Sequence, residues 1–326
     1  MIANETLARY SDWAFESAFA VLVLALVLLV AEYATYRADR VAERELEREL
    51  TTVGAPADGP LVPGRVDGPP SRTMSERLGN MGRALVVVVA ALQVVSIVLR
   101  GLATERFPLG NMYEFVSMAC AASILFGLVA LRKPAYRIMW VYVLVPVLIL
   151  MFLAATVLYA DAAPTVPALK SFWLPIHVTI ICIGSGIFLV SGVASLLFLL
   201  RIRHPKGSEG PGVLGRTAQR LPDPQVLDRL AYRTTIIAFP LFGAGIILGA
   251  IWAEAAWGRF WGWDPKETVS FITWVVYAAY LHARATSGWR NTRAAWINVA
   301  GFVAMLFNLF IINMVVSGLH SYAGLT

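Results

Sequence analysis

The sequence predicts an all-α, polytopic membrane protein with about eight transmembrane helices and both termini on the outer side. Hydrophobic residues make up 58% of its 326 residues and charged residues only 15%, with a mean hydropathy of +0.66. This composition excludes an ordinary soluble domain. Eight segments reach or approach the roughly 20 apolar residues needed to cross the hydrocarbon core. The connectors between them also alternate between rich and poor in Lys and Arg.

The predicted spans follow one another through short connectors, except for two longer polar stretches. The second span is the shortest, and the seventh begins at a proline. The eight spans are residues 13–34, 84–99, 112–131, 138–159, 175–200, 234–253, 265–283 and 294–317.

The distribution of basic residues predicts the orientation. The connectors after the first, third, fifth and seventh spans hold 8, 3, 7 and 3 of the 27 Lys and Arg residues, and basic residues accumulate in loops that stay in the cytoplasm. Both termini and the loop at 254–267 are therefore predicted on the outer side. The net charge of +6 follows from this topology and needs no nucleic-acid partner. The outer basic residues are Arg9, Arg100, Arg106, Lys170, Arg259 and Lys266.

Three regions are expected along the chain. Residues 1–35 form a first transmembrane anchor, because the first apolar run lacks the basic leader and small-residue cleavage site of a signal peptide. Residues 36–83 are first charged and then rich in Pro and Gly, which is typical of a helical extension followed by a flexible cytoplasmic linker. Residues 84–326 form the membrane core, with a second linker of the same kind at 201–224.

The most specific segment is 257–267, in which three tryptophans and four charged residues occur within eleven positions. A connector between membrane helices is ordinarily small and polar, so an aromatic platform of Trp257, Trp261 and Trp263 indicates a surface for a large, flat, apolar ligand. Haem is the leading candidate. Trp257 and Trp261 share a face if one helical turn forms. The alternative is an aromatic belt at the lipid interface, but a belt needs neither the two glycines nor the clustered charges of this segment.

The charged residues of this segment predict a helix start and leave two roles open. Asp264 as N-cap, Pro265 as the first helical residue and Glu267 as the third fit a capping box. Arg259 and Lys266 either bind haem propionates through charge-assisted hydrogen bonds or pair with neighbouring carboxylates. The candidate carboxylates are Glu254, Asp264 and Glu267.

Histidines form the second candidate set. His177 lies at the outer start of the fifth span and His320 just beyond the outer end of the eighth, so both share the face of the tryptophan loop and could hold a haem iron between them. Each alone would be interpreted as an interfacial hydrogen-bonding residue. His282 lies about 25 Å along the seventh span from Pro265, where it is either a functional intramembrane group or a marker of the cytoplasmic boundary. His204 is expected to be a loop residue.

Four sequence motifs resemble one family of membrane proteins. They are W-G-R-F-W-G-W-D-P-K-E-T from Trp257, T-W-V-V-Y-A-A-Y-L-H ending at His282, and S-G-L-H-S-Y-A around His320, with N-M-Y-E-F at 111–115 as a fourth. Together they are similar to the tryptophan-rich (WWD) haem-handling proteins of System II cytochrome c biogenesis, of the CcsA or ResC type, called CcsB in some bacteria. The similarity is strongest over 250–323 and extends from residue 83 onward.

The resemblance implies a role for each motif. The tryptophan-rich segment, including Asp264, would contact haem b, bound as substrate, on the outer face. His177 and His320 would be the axial ligands of the haem iron, and His282 a transient ligand for haem that enters from the inner side. Residues 84–326 would thus be a haem-handling core.

The resemblance also implies partners and a location. The chain would be one subunit of a holocytochrome c synthase, or haem lyase. It would work with a CcsB/ResB-type membrane subunit on apocytochromes c that carry C-x-x-C-H and that a thioredoxin-like reductant keeps reduced. Its setting would be the lipid of a bacterial plasma membrane. Two other functions stay open: a haem transporter, and a b-type haem electron-transfer membrane subunit with its histidine pairs buried within the spans.

Overall fold

The computed structural model describes residues 4–52, 73–163, 171–289 and 291–320. The predicted Pro- and Gly-rich linker at 54–70 lies outside these residues, as do Lys170 and the end of the third motif at 321–323. Throughout the described residues the regular secondary structure is helical, without a strand. The predicted all-α class is therefore confirmed.

Nine α-helices form the described part of the chain, with one short 3₁₀-helix, Pro134–Tyr136, between the third and the fourth. The α-helices are α1 (Glu5–Thr52), α2 (Met74–Thr104), α3 (Met112–Ala130), α4 (Met139–Thr156), α5 (Trp173–Arg203), α6 (Val213–Ala218), α7 (Pro224–Trp257), α8 (Pro265–Ala285) and α9 (Thr292–Met314).

Seven of the described helices are long and apolar enough to cross a membrane, namely α1 to α5, α7 and α9. This number is one fewer than the eight predicted spans, and it confirms a multi-pass membrane protein. The seventh predicted span does form a helix, α8, of 21 residues. Its Thr, Trp and Tyr side chains and its charged ends make α8 less apolar than the other long helices. It nevertheless packs along α7 and α9.

The long helices alternate in direction. Side-chain contacts bring the starts of α1, α3, α5 and α8 to the same end of the bundle as the ends of α2, α4, α7 and α9. We call this end the site end. Asn4 and His320 both lie there, and the opposite end joins Arg284 of α8 to Asp228 of α7 at 2.8 Å.

Several helix boundaries differ from the prediction because local capping outweighs hydropathy. The α2 helix begins at Met74, within the predicted linker, where the Thr73 side chain caps the Glu76 amide. The α7 helix runs through Trp257, beyond the predicted end at residue 253, and stops at Gly258, whose φ of 72° is left-handed. Trp257 therefore belongs to a helix end and not to a loop.

Close packing of α5 on α7 depends on glycines, as is common between membrane helices. A Cβ atom on Gly245 would lie 2.6 Å from Cδ1 of Ile181. A Cβ atom on Gly249 would lie 2.6 Å from Cε1 of His177. These two positions on one face of α7 let the start of α5 approach the α7 backbone directly.

A buried ion cluster ties α1, α2 and α3 together at the site end. Arg100, whose side chain is 2% exposed, lies 3.2 Å from Glu114 and 3.3 Å from Asp12 and also donates to the Ala160 carbonyl. Glu114 accepts from Arg106 at 2.8 and 3.0 Å. Arg100 and Arg106, two of the arginines that were predicted on the outer side, are thus held by carboxylates within the fold.

Replacing Glu114 by Gln is expected to lower the thermal unfolding temperature of the detergent-solubilised protein markedly. The substitution keeps the shape of the side chain but leaves two guanidinium groups without their shared carboxylate, and breaking a buried ion pair costs about 3–5 kcal/mol. The matched control is Lys206→Ala, which removes an exposed pair with Asp223 at 3.9 Å and should change stability by less than about 1 kcal/mol. Equal unfolding temperatures for Glu114→Gln and the unsubstituted chain would contradict a stabilising cluster.

Candidate functional site

A large cavity opens between α3, α5, α7, α8 and α9 at the site end. The empty space between these helices is about 1410 Å³, a figure that includes the open space at the mouth. Most of its lining side chains are apolar. The aromatic and imidazole groups among them are Phe115, His177, Phe242, Trp252, Trp257, Trp261 and His320. The cavity is therefore suited to a mainly apolar ligand.

His177 enters this cavity from the first turns of α5. Its Nδ1 lies 2.7 Å from the carbonyl oxygen of Gly245 on α7. Because a carbonyl oxygen only accepts, Nδ1 carries the proton, and Nε2 is the nitrogen with a lone pair for a metal. A second hydrogen bond of this kind is what orients metal-ligating histidines in proteins. Gly249 leaves the space that the ring occupies.

His320 is held in the same way from the chain that follows α9. Its Nδ1 lies 2.8 Å from Oδ2 of Asp264. The other carboxylate oxygen of Asp264 accepts from the Leu319 amide at 2.7 Å. One side chain thus fixes both the position of this segment and the orientation of the imidazole, with Nδ1 again as the protonated nitrogen.

The protonation states of this pair suit metal binding. Burial alone would raise the pKa of Asp264, but hydrogen bonds from His320 and the Leu319 amide lower it to about 2. Burial lowers the pKa of His320 below its ordinary value, and the hydrogen bond to Asp264 offsets only part of that effect. At neutral pH the contact therefore joins a neutral imidazole to a carboxylate, and the neutral imidazole is the form that binds a metal.

Asp264 also begins α8, as the sequence predicted. Its side chain accepts from the Lys266 amide at 3.2 Å, and Glu267 accepts from the Asp264 amide at 3.1 Å, which completes the predicted capping box. Glu267 accepts in addition from the Gly262 amide at 2.8 Å. The start of α8 and the His320 ring consequently share one carboxylate.

The three tryptophans of the motif do not form one flat surface. Trp257 contacts the ring of His320, with centroids 5.2 Å apart. Trp261 packs instead on Phe271 at 6.2 Å, and Trp263, with a φ of 59°, is 70% exposed. No helical turn joins Trp257 to Trp261 because Gly258 ends α7 between them. Trp257 and Trp261 line the cavity, whereas Trp263 does not.

A fourth tryptophan, Trp252, is part of the site and was missed by the sequence reasoning. It is 1% exposed, its ring is parallel to that of His177 at 6.1 Å, and it lies 5.8 Å from the ring of His320. Trp257 meets it at 4.7 Å. Trp252 falls inside a predicted span, where nothing in the sequence separates it from other apolar residues. Only the packing of α5 and of the segment after α9 against α7 reveals that Trp252 contacts both histidines.

The two cations of the motif have different surroundings. Arg259 lies 3.4 Å from Glu267 and its guanidinium lies 5.8 Å from the Trp257 ring centroid, outside the lining of the cavity. Lys266 lines the cavity and donates to the side-chain oxygen of Asn313. Of the two roles that the sequence left open, Arg259 therefore has the pairing with a carboxylate, that of Glu267.

His282 lies apart from this site. It is exposed in the last turn of α8, roughly 25 Å along the helix from Pro265. His204 follows the end of α5, where its Nδ1 lies 3.2 Å from the Leu200 carbonyl oxygen. Of the four histidines, the structure brings His177 and His320 to one cavity and leaves the other two outside it.

Comparison with solved structures shows a related fold. The chain is similar to a structure titled cytochrome c haem lyase CcmF, with a TM-score of 0.61 and 18% sequence identity. The similarity covers 100% of this chain and 49% of that one, so the chain spans about half the length of CcmF.

Comparison with known sequences identifies the family. The family model described as "Cytochrome C assembly protein" matches residues 109–320. Among proteins named cytochrome c biogenesis protein CcsA, that of Parasynechococcus marenigrum is 36% identical, covering 73% of this chain and 85% of the relative. That of Chlamydomonas reinhardtii is 34% identical, covering 74% and 67%. The chain therefore belongs to the cytochrome c assembly proteins and, among them, to the CcsA-type cytochrome c biogenesis proteins.

Proposed function

We propose that the chain, a cytochrome c biogenesis protein, binds haem b as a substrate with His177 and His320 as axial ligands, and presents it for attachment to apocytochromes c. One observation carries the proposal. Two histidines from different parts of the chain line one large apolar cavity, and each has its Nδ1 fixed by an acceptor. Their Nε2 atoms then have the lone pairs that iron requires.

The residues around the histidines would position haem and set its electronic environment. Trp252 and Trp257 pack on the imidazoles and would keep water from one side of them. The resulting low local dielectric constant would tune the reduction potential of the haem iron. Attachment adds each cysteine thiol of C-x-x-C-H across a haem vinyl group, so that a carbon–sulfur bond forms and the thiol proton moves to the other vinyl carbon. The contribution of this chain to that addition is positioning.

The topology and partners belong to the same proposal. The excess of basic residues in the connectors at the opposite end supports a site end on the outer side of a bacterial plasma membrane, with residues 36–83 in the cytoplasm. A CcsB/ResB-type subunit completes the synthase, and a thioredoxin-like reductant keeps the C-x-x-C-H thiols reduced. His282, exposed on α8, would meet haem together with that partner subunit.

A haem transporter is the second candidate. The cavity continues from the histidines toward the middle of the bundle, where Leu189, Phe242 and Met305 line it, and such depth favours a path for a hydrophobic solute. An electron-transfer subunit is less consistent with the structure, because the two histidines lie at the open end of the bundle. Haem supplied from outside should restore cytochrome maturation in cells that carry His282→Ala if this chain also conducts haem across the membrane.

Loss of either axial histidine should weaken haem ligation. The chain co-purified with its partner subunit should show the absorption bands of low-spin haem, and His177→Ala or His320→Ala should each weaken them. Added imidazole should restore the bands, since it replaces the missing ligand without restoring the side chain. His204→Ala, outside the cavity, is the matched control and should leave the spectrum unchanged. Unaltered spectra in both ligand variants would rule out this site.

The His177 ring occupies space that Gly249 leaves free, so a larger residue at position 249 should weaken haem binding. In Gly249→Ala, the new methyl group would lie 2.6 Å from Cε1 of the imidazole, and overpacking of this kind costs about 1–3 kcal/mol. Haem affinity, measured by titration of the Soret band, should fall about tenfold or more as the ring is displaced. Ile247→Ala, at an exposed position of α7, should bind as the unsubstituted chain does. Equal affinities for all three proteins would show that the His177 ring is not held against α7.

Loss of the carboxylate behind His320 should also weaken haem binding. Asp264→Asn keeps the size of the side chain but removes the charge that makes the imidazole a stronger ligand. Changes to such supporting groups weaken metal binding by about 10–100-fold, and haem titration should show a loss in that range. Glu254→Gln changes an exposed carboxylate at the end of α7 and serves as the control. If both variants bind haem equally well, Asp264 acts only as a helix cap.

A further inference from the structure

One wall of the cavity carries a patch of polar side chains. It consists of Lys266 and Ser270 on α8 and Asn308 and Asn313 on α9, and we call these four residues the polar patch. All four line the same cavity as the two histidines. Glu267 of α8, which lies beside Arg259, also lines the cavity, and the facing helices are mainly apolar. The polar patch therefore gives the cavity a polar side.

The hydrogen bonds within the polar patch leave it incompletely paired. Lys266 Nζ donates to Asn313 Oδ1, while Asn313 Nδ2 donates to the Leu309 carbonyl at 2.7 Å. Asn308 Nδ2 lies 2.8 Å from Ser270 Oγ, and Asn308 Oδ1 has no hydrogen-bond partner among the described residues. Asn308 is only 7% exposed. Whichever way its amide is turned, one of its polar atoms remains available to a ligand.

Lys266 forms no ion pair within the described part of the chain. No carboxylate there lies within ion-pair distance of its ammonium group. Asp264 accepts from His320, and Glu267 lies beside Arg259. The contacts of Lys266 are a neutral amide oxygen and the face of Phe115, with Nζ 5.7 Å from the ring centroid.

An ammonium group in an apolar cavity is unfavourable unless an anion compensates it. Arg259 provides the comparison, since it already has Glu267 at 3.4 Å and does not line the cavity. Of the two cations in the tryptophan motif, Lys266 is the one placed to meet a bound ligand. A ligand that completes this site should therefore bring its own negative charge.

We infer that Lys266, with the amide group of Asn308, binds a carboxylate of the ligand that His177 and His320 hold, while Asn313 orients the ammonium group of Lys266. The inference rests on the proposed function, in which that ligand is haem, and it assigns the polar patch to a haem propionate. A propionate held at α8 and α9 fixes the rotation of the macrocycle about the axis through the two imidazoles. The polar patch would thereby determine where the vinyl groups lie when they meet the cysteine thiols.

The test compares haem with its dimethyl ester, in which both propionates are neutral and the iron chemistry is unchanged. Each is titrated into the complex of this chain with its partner subunit, and the Soret band reports affinity and axial ligation together. The unsubstituted chain should bind the diester roughly 10–100-fold more weakly than haem, the effect of losing one charge-assisted hydrogen bond. Lys266→Met should bind both compounds with the weaker affinity and with low-spin bands intact.

Arg259→Met is the matched control, and it should retain the preference for haem over the diester. Equal affinities of the unsubstituted chain for the two compounds would overturn the assignment of the polar patch, while a spectrum that still depends on His177 and His320 would leave the proposed function standing. A preference for haem over the diester that persists in Lys266→Met would also overturn the assignment of the polar patch. Failure of the unsubstituted complex to bind haem at all would overturn both proposals.

Discussion

The carboxylate of Asp264 is the interaction on which the rest of the site depends. It caps the first turn of α8, accepts from the Leu319 amide at 2.7 Å and holds Nδ1 of His320 at 2.8 Å. A single buried group therefore couples a helix start, the segment that follows α9 and the orientation of one imidazole. Asp264 thus organises its neighbours, because an ionised carboxylate accepts several hydrogen bonds at once.

The second imidazole is placed by helix packing and not by a side chain. His177 lies against α7 because Gly249 leaves room for its ring and the Gly245 carbonyl accepts from its Nδ1. Trp252 contacts both histidines, with ring centroids 6.1 Å from His177 and 5.8 Å from His320. The relative position of the imidazoles consequently depends on how α5 packs against α7 and how α9 packs against α8, since each ring is fixed to a different neighbour.

Charges at the site end fall into networks on either side of the cavity. The Arg100 and Glu114 cluster lies on the α1–α3 side, and Glu114 also accepts from the Gly110 amide at 2.7 Å. Gly110 itself lines the cavity, so this buried cluster supports one wall. The Asp264 network supports the opposite wall. Lys266 lines the cavity as well, where its ammonium group contacts the Asn313 side-chain oxygen and the Phe115 ring and forms no ion pair among the described residues.

The sequence by itself determined the helical membrane class, because hydropathy and basic-residue bias are summed along the chain. It also determined the capping box at Asp264, whose partners are at most three residues away. Tertiary structure decided which groups meet across helices. Trp252 contacts the histidines, and Trp263 lies outside the cavity lining. Arg259 and Lys266, for which the sequence left the same two roles open, have different partners. Such contacts depend on where glycines let two helices approach closely and on where capping residues end a helix. A local sequence pattern does not specify the resulting distances between helices.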